Sequence, residues 1–495
     1  MGVPVSMPVQ SSEDTATLDA LAQRASHGGA IGAGASPKLM SLPQLLMLAV
    51  GIIGFQFAWS TQIALSSRVL EPLGADPFLF GLIWCAGPIT GMVVAPLVGM
   101  WSDHTLTPLG KRWPYVLAGA VLGAIAMVLF PQSPNLWVAA IMIWLIDAFI
   151  NTAQGPYRAL VPDMVPRAQQ SIANSYLNFG VGTGNVIAMG FAPLALAMLG
   201  QEIPIQSQYV ISAVVLAGIT ILTALFVKEK PASAQASVDT IGAEPAPAIT
   251  AGIDADKAIG KATPGVAQMF KNFAAASPEI HKISAVQFFT WVALMGMFIY
   301  LTPYVTHHVF KVPDLTRPEL FSAAQMAGFK TLEKTATNTT QQAFAAFNLV
   351  CLLLSLPLGY LTTKFGKKPV LSFALLTMAA GFLTAPFIST PLQVIAMLAC
   401  AGVAWATTLS IPFSILCDHM PKGQEGSIMG MFNVFVAAPQ LISAIAVGWV
   451  INQMPVALPV GYTHAWWLPF TVGTVSLIIA VGVLQTIKEH KPLRA

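Results

Sequence analysis

GMWSDHTLTPLGKR (99–112) ends one apolar run and leads into the next, and GYLTTKFGKK (359–368) does the same in the second half of the chain. Each stretch is a small-residue helix end, a glycine turn and two basic residues: Gly110-Lys111-Arg112 in the first, Gly366-Lys367-Lys368 in the second. The second copy has no counterpart of Asp103. Two basic residues alone would suit any cytoplasmic loop of a membrane protein. Their recurrence at matched places points to a duplicated bundle.

Working outward, the runs on either side are too apolar for a water-soluble domain. The 495 residues are 55% hydrophobic and 9% charged, with mean hydropathy +0.69, against about 25% charged in soluble proteins. Spans of about 20 residues are expected at roughly 42–67, 77–101, 114–131, 135–161, 171–199, 207–227, 283–306, 343–363, 369–388, 392–416, 427–452 and 464–487. The expected organisation is a disordered N-terminal tail (1–40), a six-helix bundle (41–228), a flexible linker (229–281), a second six-helix bundle (282–487) and a short tail (488–495). No cleavable signal peptide is visible. Within the linker, Val266–Ala276 reads as an amphipathic piece for the membrane surface. The four cysteines, Cys85, Cys351, Cys400 and Cys417, form no metal-like or disulfide pattern and read as small core residues.

Charge placement sets the orientation. With both tails and the linker in the cytoplasm, 18 of the 24 Lys and Arg lie inside, among them Lys111, Arg112, Arg167, Lys228, Lys364 and Lys422. Arg68, Lys311, Arg317, Lys330 and Lys334 fall outside, and Arg158 lies within the membrane. The outer segment 309–341 has mixed charges, room for a short helix, and a glycosylation-type triplet, Asn338-Thr339-Thr340.

The chemistry concentrates in IMIWLIDAFINTAQGPYRAL (141–160). Asp147 is the one acid of the 21 deep inside an apolar run. An ionisable group there costs roughly 2.5–3.5 kcal/mol, so its default reading is functional. Asn151, Gln154 and Arg158 follow at i+4, i+7 and i+11; eleven residues turn a helix about 20° past three full turns, so all four share a face. Asp147 and Arg158 are about 16 Å apart along an ideal helix, too far for a direct pair. Arg158 could instead pair with Asp163 or snorkel. Gly155-Pro156 between them can kink the helix and aim Arg158 inward. A low-dielectric setting disfavours the charged form of a carboxyl, so Asp147 can exchange a proton between the two sides. A sodium site would call for several oxygen ligands, although carbonyls and amides could supply them.

Gln56, Trp59, Gln62, Asn151, Gln154, Asn178, Asn185, Asn433 and Gln440 are the other polar or aromatic groups within spans. Uncharged donors and acceptors beside aromatic faces suit a neutral polyhydroxylated ligand; helix–helix hydrogen bonding would also account for each amide. At the loop, Asp103, Lys111 and Arg112 are expected to stabilise a closed cytoplasmic gate, with simple topology and loop capping as the alternative.

The two loop stretches resemble the loop 2–3 and loop 8–9 signature of the major facilitator superfamily. GFQFAWSTQIALSSRVLEPLG (54–74), IWCAGPITGMVVAPLVGMWSDHTLTPLGKRWPY (83–115), IDAFINTAQGPYRALVPDM (146–164), ANSYLNFGVGTGNV (173–186) and LSIPFSILCDHMPKGQEGSIMGMFNVFVAAPQ (409–440) are similar to the sucrose transporter family, in its glycoside–pentoside–hexuronide branch. The resemblance covers most of the chain outside the tails and linker. It implies an all-α, twelve-helix membrane carrier of two six-helix bundles that imports a disaccharide with a proton. By the same resemblance Asp147 is the proton-coupling and substrate-contacting acid, and Arg158 the essential arginine. The candidate substrate contacts are then Gln56, Trp59, Gln62, Asp147, Asn151, Gln154, Arg158, Asn433 and Gln440.

One departure stands in the seventh span. Plant and animal members carry an acidic motif there, and this chain reads FIYLTPYVTHHVF (298–310), with His307 and His308 near the outer end. Maltose and sucrose are equal candidates. An uncoupled facilitator or exporter and a drug-efflux carrier are the alternatives. The spans hold no clustered acids or close His and Glu for phosphate or metal chemistry, so an enzyme, a metal site and a cofactor are not expected. The expected partners are a sugar, a proton and the lipid bilayer, with no nucleic acid. A monomer in the cell (inner) membrane with both termini cytoplasmic is expected.

Overall fold

The structure, a computed structural model, describes residues 40–103, 105, 107–229, 271–315, 318–408, 410–420 and 425–488. Most of the expected tails and linker, including 266–270 of the amphipathic piece, lies outside the described residues; Lys271 to Ala274 is helical.

Twelve helices are long and apolar enough to cross a membrane. They are α1 (Leu42–Leu73), α2 (Pro77–Ser102), α3 (Trp113–Gln132), α4 (Leu136–Val161), α5 (Ala173–Leu199), α6 (Ile205–Phe226), α7 (Pro278–Val309), α8 (Ala323–Phe365), α9 (Lys367–Phe387), α10 (Pro391–His419), α11 (Met431–Asn452) and α12 (Leu468–Gln485). The chain is a multi-pass membrane protein with the two-bundle architecture.

The duplication first seen in the loops extends to the packing. In the first half α1 packs on α5 and α6, α4 on α2 and α3, and α3 on α6. In the second half α7 packs on α11 and α12, α10 on α8 and α9, and α9 on α12. These are the same five pairs displaced by six helices. The halves meet through α2 with α11 and α5 with α8, two contacts that exchange under the same displacement.

Local chemistry sets the helix ends and breaks. The Asp76 carboxylate accepts from Leu79 N at 2.7 Å and starts α2, and Asn135 accepts from Val138 N at 3.0 Å and starts α4. Helix α2 breaks at Cys85, whose N–H turns to Leu82 O at 3.2 Å. Pro88 has no N–H to offer the carbonyl of Trp84, so the ladder cannot close there. By contrast α4 runs unbroken through Gly155-Pro156. Beyond Pro303, α7 widens into a π-helical turn over Tyr304–Val309.

Two expectations need correction here. The eighth span begins at Ala323, far ahead of the expected 343, because a capping box between Ser322 and Gln325 starts a helix that continues into the membrane. Asn338 therefore sits inside a continuous helix beside buried Thr339 and Thr340, not on a loop. The twelfth span begins at Leu468, preceded by a hairpin of β1 (Pro455–Ala457) and β2 (Tyr462–His464).

The duplicated loops form matching clamps at one end of the bundles, termed here the basic end. Arg112 Nε and Lys111 Nζ reach Asp163 Oδ2, in the last turn of the helix that continues α4 to Met164, at 2.8 and 3.2 Å. The Arg112 guanidinium also reaches Ser102 Oγ, and its backbone N–H donates to Glu229 Oε2 at 2.9 Å. In the second half Lys367 Nζ pairs with Asp418 Oδ2 near the end of α10, and Lys368 Nζ donates to the carbonyls of Gln485 and Ile487 that end α12. The groups placed at the expected gate thus join helices within one half. Asp103 ends its helix.

The opposite, far end is closed between the halves. A Cβ on Gly81 of α2 would collide with the carbonyl oxygen of Ala444, and one on Gly448 of α11 would sit 2.6 Å from Pro77 O. The two backbones therefore touch where glycine permits it. Around this seal Arg68 pairs with Glu333 at 2.9 Å, His307 Nε2 meets Glu71 Oε2 at 3.0 Å, and Lys334 meets Glu202 at 3.1 Å. Thr302 Oγ1 donates to Ala64 O at 3.0 Å.

Candidate functional site

Beneath the seal lies a cavity of about 750 Å³ between the halves, lined by α1, α2, α4, α7 and α11. Such a volume falls in the range of roughly 300–1,000 Å³ usual for small-molecule sites. Its first-half wall holds Trp59, Trp84, Gly87, Gly91 and Asn151; its second-half wall holds Met295, Phe298, Asn433 and Gln440.

The walls differ in chemistry. Behind Phe298 stands a packed aromatic cluster: its ring centroid is 5.6 Å from Trp405, 5.9 Å from Phe347 and 6.3 Å from Phe344. The second half thereby offers a rigid apolar surface, polar only at Asn433 and Gln440. The Gln440 amide donates to Val436 O of its own helix at 3.0 Å.

The first-half wall carries the polar machinery. Asp147 is 1% exposed and lies just behind the cavity surface, its Oδ1 accepting from Gln62 Nε2 at 2.8 Å. Asn151 Nδ2 donates to Thr90 Oγ1 at 3.1 Å and to Asp147 O at 2.9 Å. The Thr90 hydroxyl in turn donates to Ala86 O at 2.7 Å. Among the described residues Asp147 is the one buried carboxylate within a span; the other buried carboxylate, Glu229, lies past the end of α6.

The predicted residues therefore separate. Trp59, Asn151, Asn433 and Gln440 line the cavity. Gln62 and Asp147 form a buried pair behind it. Gln56 packs at Gly184 of α5. Neither Gln154 nor Arg158 reaches the cavity wall. Arg158 is exposed, and Asp163, its possible partner, is bonded to Lys111 and Arg112. Asn185 accepts from Ser60 Oγ at 3.0 Å, an α1–α5 tie, and Asn178 is exposed.

Sequence reasoning missed Trp84, Gly87, Gly91, Thr90 and Phe298. An indole eight residues into an apolar span, and two glycines one turn apart beside it, were the available signals. It also missed Tyr157, fully buried beside Arg158, whose hydroxyl donates to Leu48 O at 2.5 Å and ties α4 to α1. The histidines of α7 are packed rather than solvated. His307 bonds Glu71 and Val312 O and stacks on Trp466 at 5.5 Å, and His308 meets Pro386 O at 3.2 Å.

A sequence profile of the Major Facilitator Superfamily matches residues 46–332 and 331–494. The chain is 24% identical over 460 residues to sucrose transport protein SUT1 of rice (Oryza sativa subsp. japonica), covering 83% of this chain and 82% of that protein. It is 25% identical over 505 residues to the general alpha-glucoside permease of Schizosaccharomyces pombe, covering 83% and 88%. The fold is similar to a crystal structure of a mutant of the nucleoside transporter NupG, with TM-score 0.65 and 14% identity over 90% of this chain and all of that one.

Proposed function

The chain belongs to the major facilitator superfamily, and within it we propose that it is a proton-coupled importer of a disaccharide, an α-glucoside such as maltose or sucrose, working by alternating access. The relatives named sucrose transport protein and alpha-glucoside permease support the substrate class. The cavity supports it physically: both walls carry aromatic faces (Trp59 and Trp84, Phe298) and uncharged amides, which suit the C–H faces and hydroxyls of a sugar. Trp59, Asn151, Asn433 and Gln440 are the proposed sugar contacts. The basic end is proposed to face the cytoplasm of the cell membrane, by the bias of Lys and Arg. With the far end sealed, the molecule is then in its inward-facing state, and a monomer suffices for the cycle.

The observation that carries coupling is Asp147: a single buried carboxylate, held by one donor and set against the wall of the cavity between the two halves. A carboxyl so placed can bind and release a proton as the halves rock. In proteoliposomes an inward-directed proton gradient should drive accumulation of labelled maltose or sucrose. Asp147→Asn should reduce this to equilibration while sugar exchange persists. Undiminished accumulation by that variant would remove Asp147 from the coupling step.

An uncoupled facilitator is the second reading, favoured by the absence of an acid in FIYLTPYVTHHVF. It predicts sugar equilibration indifferent to the gradient in the unmodified protein.

A further inference from the structure

Asp147 poses an access problem, since it is 1% exposed and its own atoms do not line the cavity. We propose that Gly87 and Gly91 of α2 form a window that opens the buried Asp147 of α4 to the cavity and keeps Asn151 Oδ1 on its wall free for ligand, making these glycines specificity-determining positions of the carrier.

The geometry is a register of two turns. Asp147 and Asn151 are four residues apart on α4, as are Gly87 and Gly91 on α2, so each pair is separated by about 6 Å along its helix. A Cβ built on Gly87 would stand 3.6 Å from Asp147 Oδ2, and one built on Gly91 would stand 3.8 Å from Asn151 Oδ1. Both glycines line the cavity. The other polar atoms of the two side chains are already engaged. Gln62 occupies Asp147 Oδ1, and Thr90 and Asp147 O occupy Asn151 Nδ2. The atoms that face the glycines, Oδ2 and Oδ1, have no protein donor among the described residues. Two acceptors one turn apart are thus left for a hydroxyl-bearing ligand, and Oδ2 for a proton.

Packing does not require these glycines. Nothing else lies within 4 Å of the added Cβ at either site. Both distances are ordinary van der Waals contacts, so alanine fits without moving the backbone. Mid-helix glycine is ordinarily less stable than alanine, because it has more backbone freedom to lose. Here it leaves open the line between a buried carboxylate and the cavity, which one methyl group would close. The break in the ladder at Cys85 lies directly before this stretch of α2.

The bearing on transport rests on the carrier role proposed above, whereas the exposure of Asp147 Oδ2 does not. Two readouts keep them separate. The first is labelling of Asp147 by a carbodiimide, whose C=N adds the carboxyl O–H, quantified by mass spectrometry on the purified full-length protein. The second is gradient-driven sugar accumulation. Gly87→Ala should keep or raise thermal stability, lower labelling of Asp147 about tenfold, the factor that goes with ~1.4 kcal/mol, and abolish accumulation. Gly91→Ala should leave that labelling unchanged and raise the sugar concentration for half-maximal uptake. Wild-type labelling in a folded Gly87→Ala protein would overturn the window, whatever Asp147→Asn does. Accumulation retained by Asp147→Asn would instead overturn the coupling reading, with the labelling result still deciding the window.

Discussion

Tyr157 and Asp147 show how much, and how little, one residue discloses. The depth of Asp147 was legible because an acid in an apolar run of that length has few bland explanations. Its donor was not, because Gln62 lies 85 positions away and pairs only once α1 and α4 are packed. Tyr157 was passed over because a tyrosine beside Arg158 resembles any other aromatic of the span. In the structure its ring packs against Phe55 at 5.3 Å and Trp113 at 6.2 Å. Tyr157→Phe keeps that packing and deletes the hydroxyl bonded to Leu48 O. It should lower stability by about 1 kcal/mol without changing which sugar is carried. Thermal unfolding in detergent and a substrate panel would measure the two effects.

At the scale of elements, hydropathy finds membrane and can miss helix. Helix α8 has 43 residues, about 65 Å at 1.5 Å per residue, roughly twice the thickness of the hydrocarbon layer. Its first part carries Lys330, Glu333 and Lys334 and reads as loop on any apolar scale, yet its capping box and good helix formers make it continuous. The clamps at the basic end were legible as a repeated Gly-basic-basic pattern; their acids, Asp163 and Asp418, were not, since each lies two helices downstream. The two clamps should differ in strength. Arg112→Ala removes one partner of a largely buried group with Lys111 left behind, so a loss of about 3 kcal/mol is expected, the lower end of the range for buried pairs. Lys367→Ala opens a more exposed pair, for which about 0.2–1 kcal/mol is expected. Unfolding midpoints of the two variants, compared side by side, check the asymmetry.

For the whole molecule, the duplication could be read from loops alone, and the structure extends it to every major helix pair. Which end is closed could not be read. A carrier that rocks must have one sequence serving two arrangements, so no residue pattern can favour one strongly. We expect the far-end pairs to bear on that balance. Arg68 and Glu333 are side chains from opposite halves with 7% and 15% exposure. Arg68→Glu should repel Glu333 and shift the molecules toward an open far end; adding Glu333→Arg should restore closure. Spin-label distances between α1 and α8 at that end would report both shifts, and an unchanged distance in the single variant would show that the pair does not hold the seal.

The contact of α2 with α11 at Gly81 and Gly448 is backbone against backbone. A barrier made of side chains can flicker open as rotamers change. This one parts only if whole helices move. Each elementary charge held across a membrane at 100 mV stores about 2.3 kcal/mol, and a carrier that leaked between turnovers would dissipate it. Two missing methyl groups at the far end make the closure there a contact between main chains, the kind of barrier a carrier between compartments at different potentials requires.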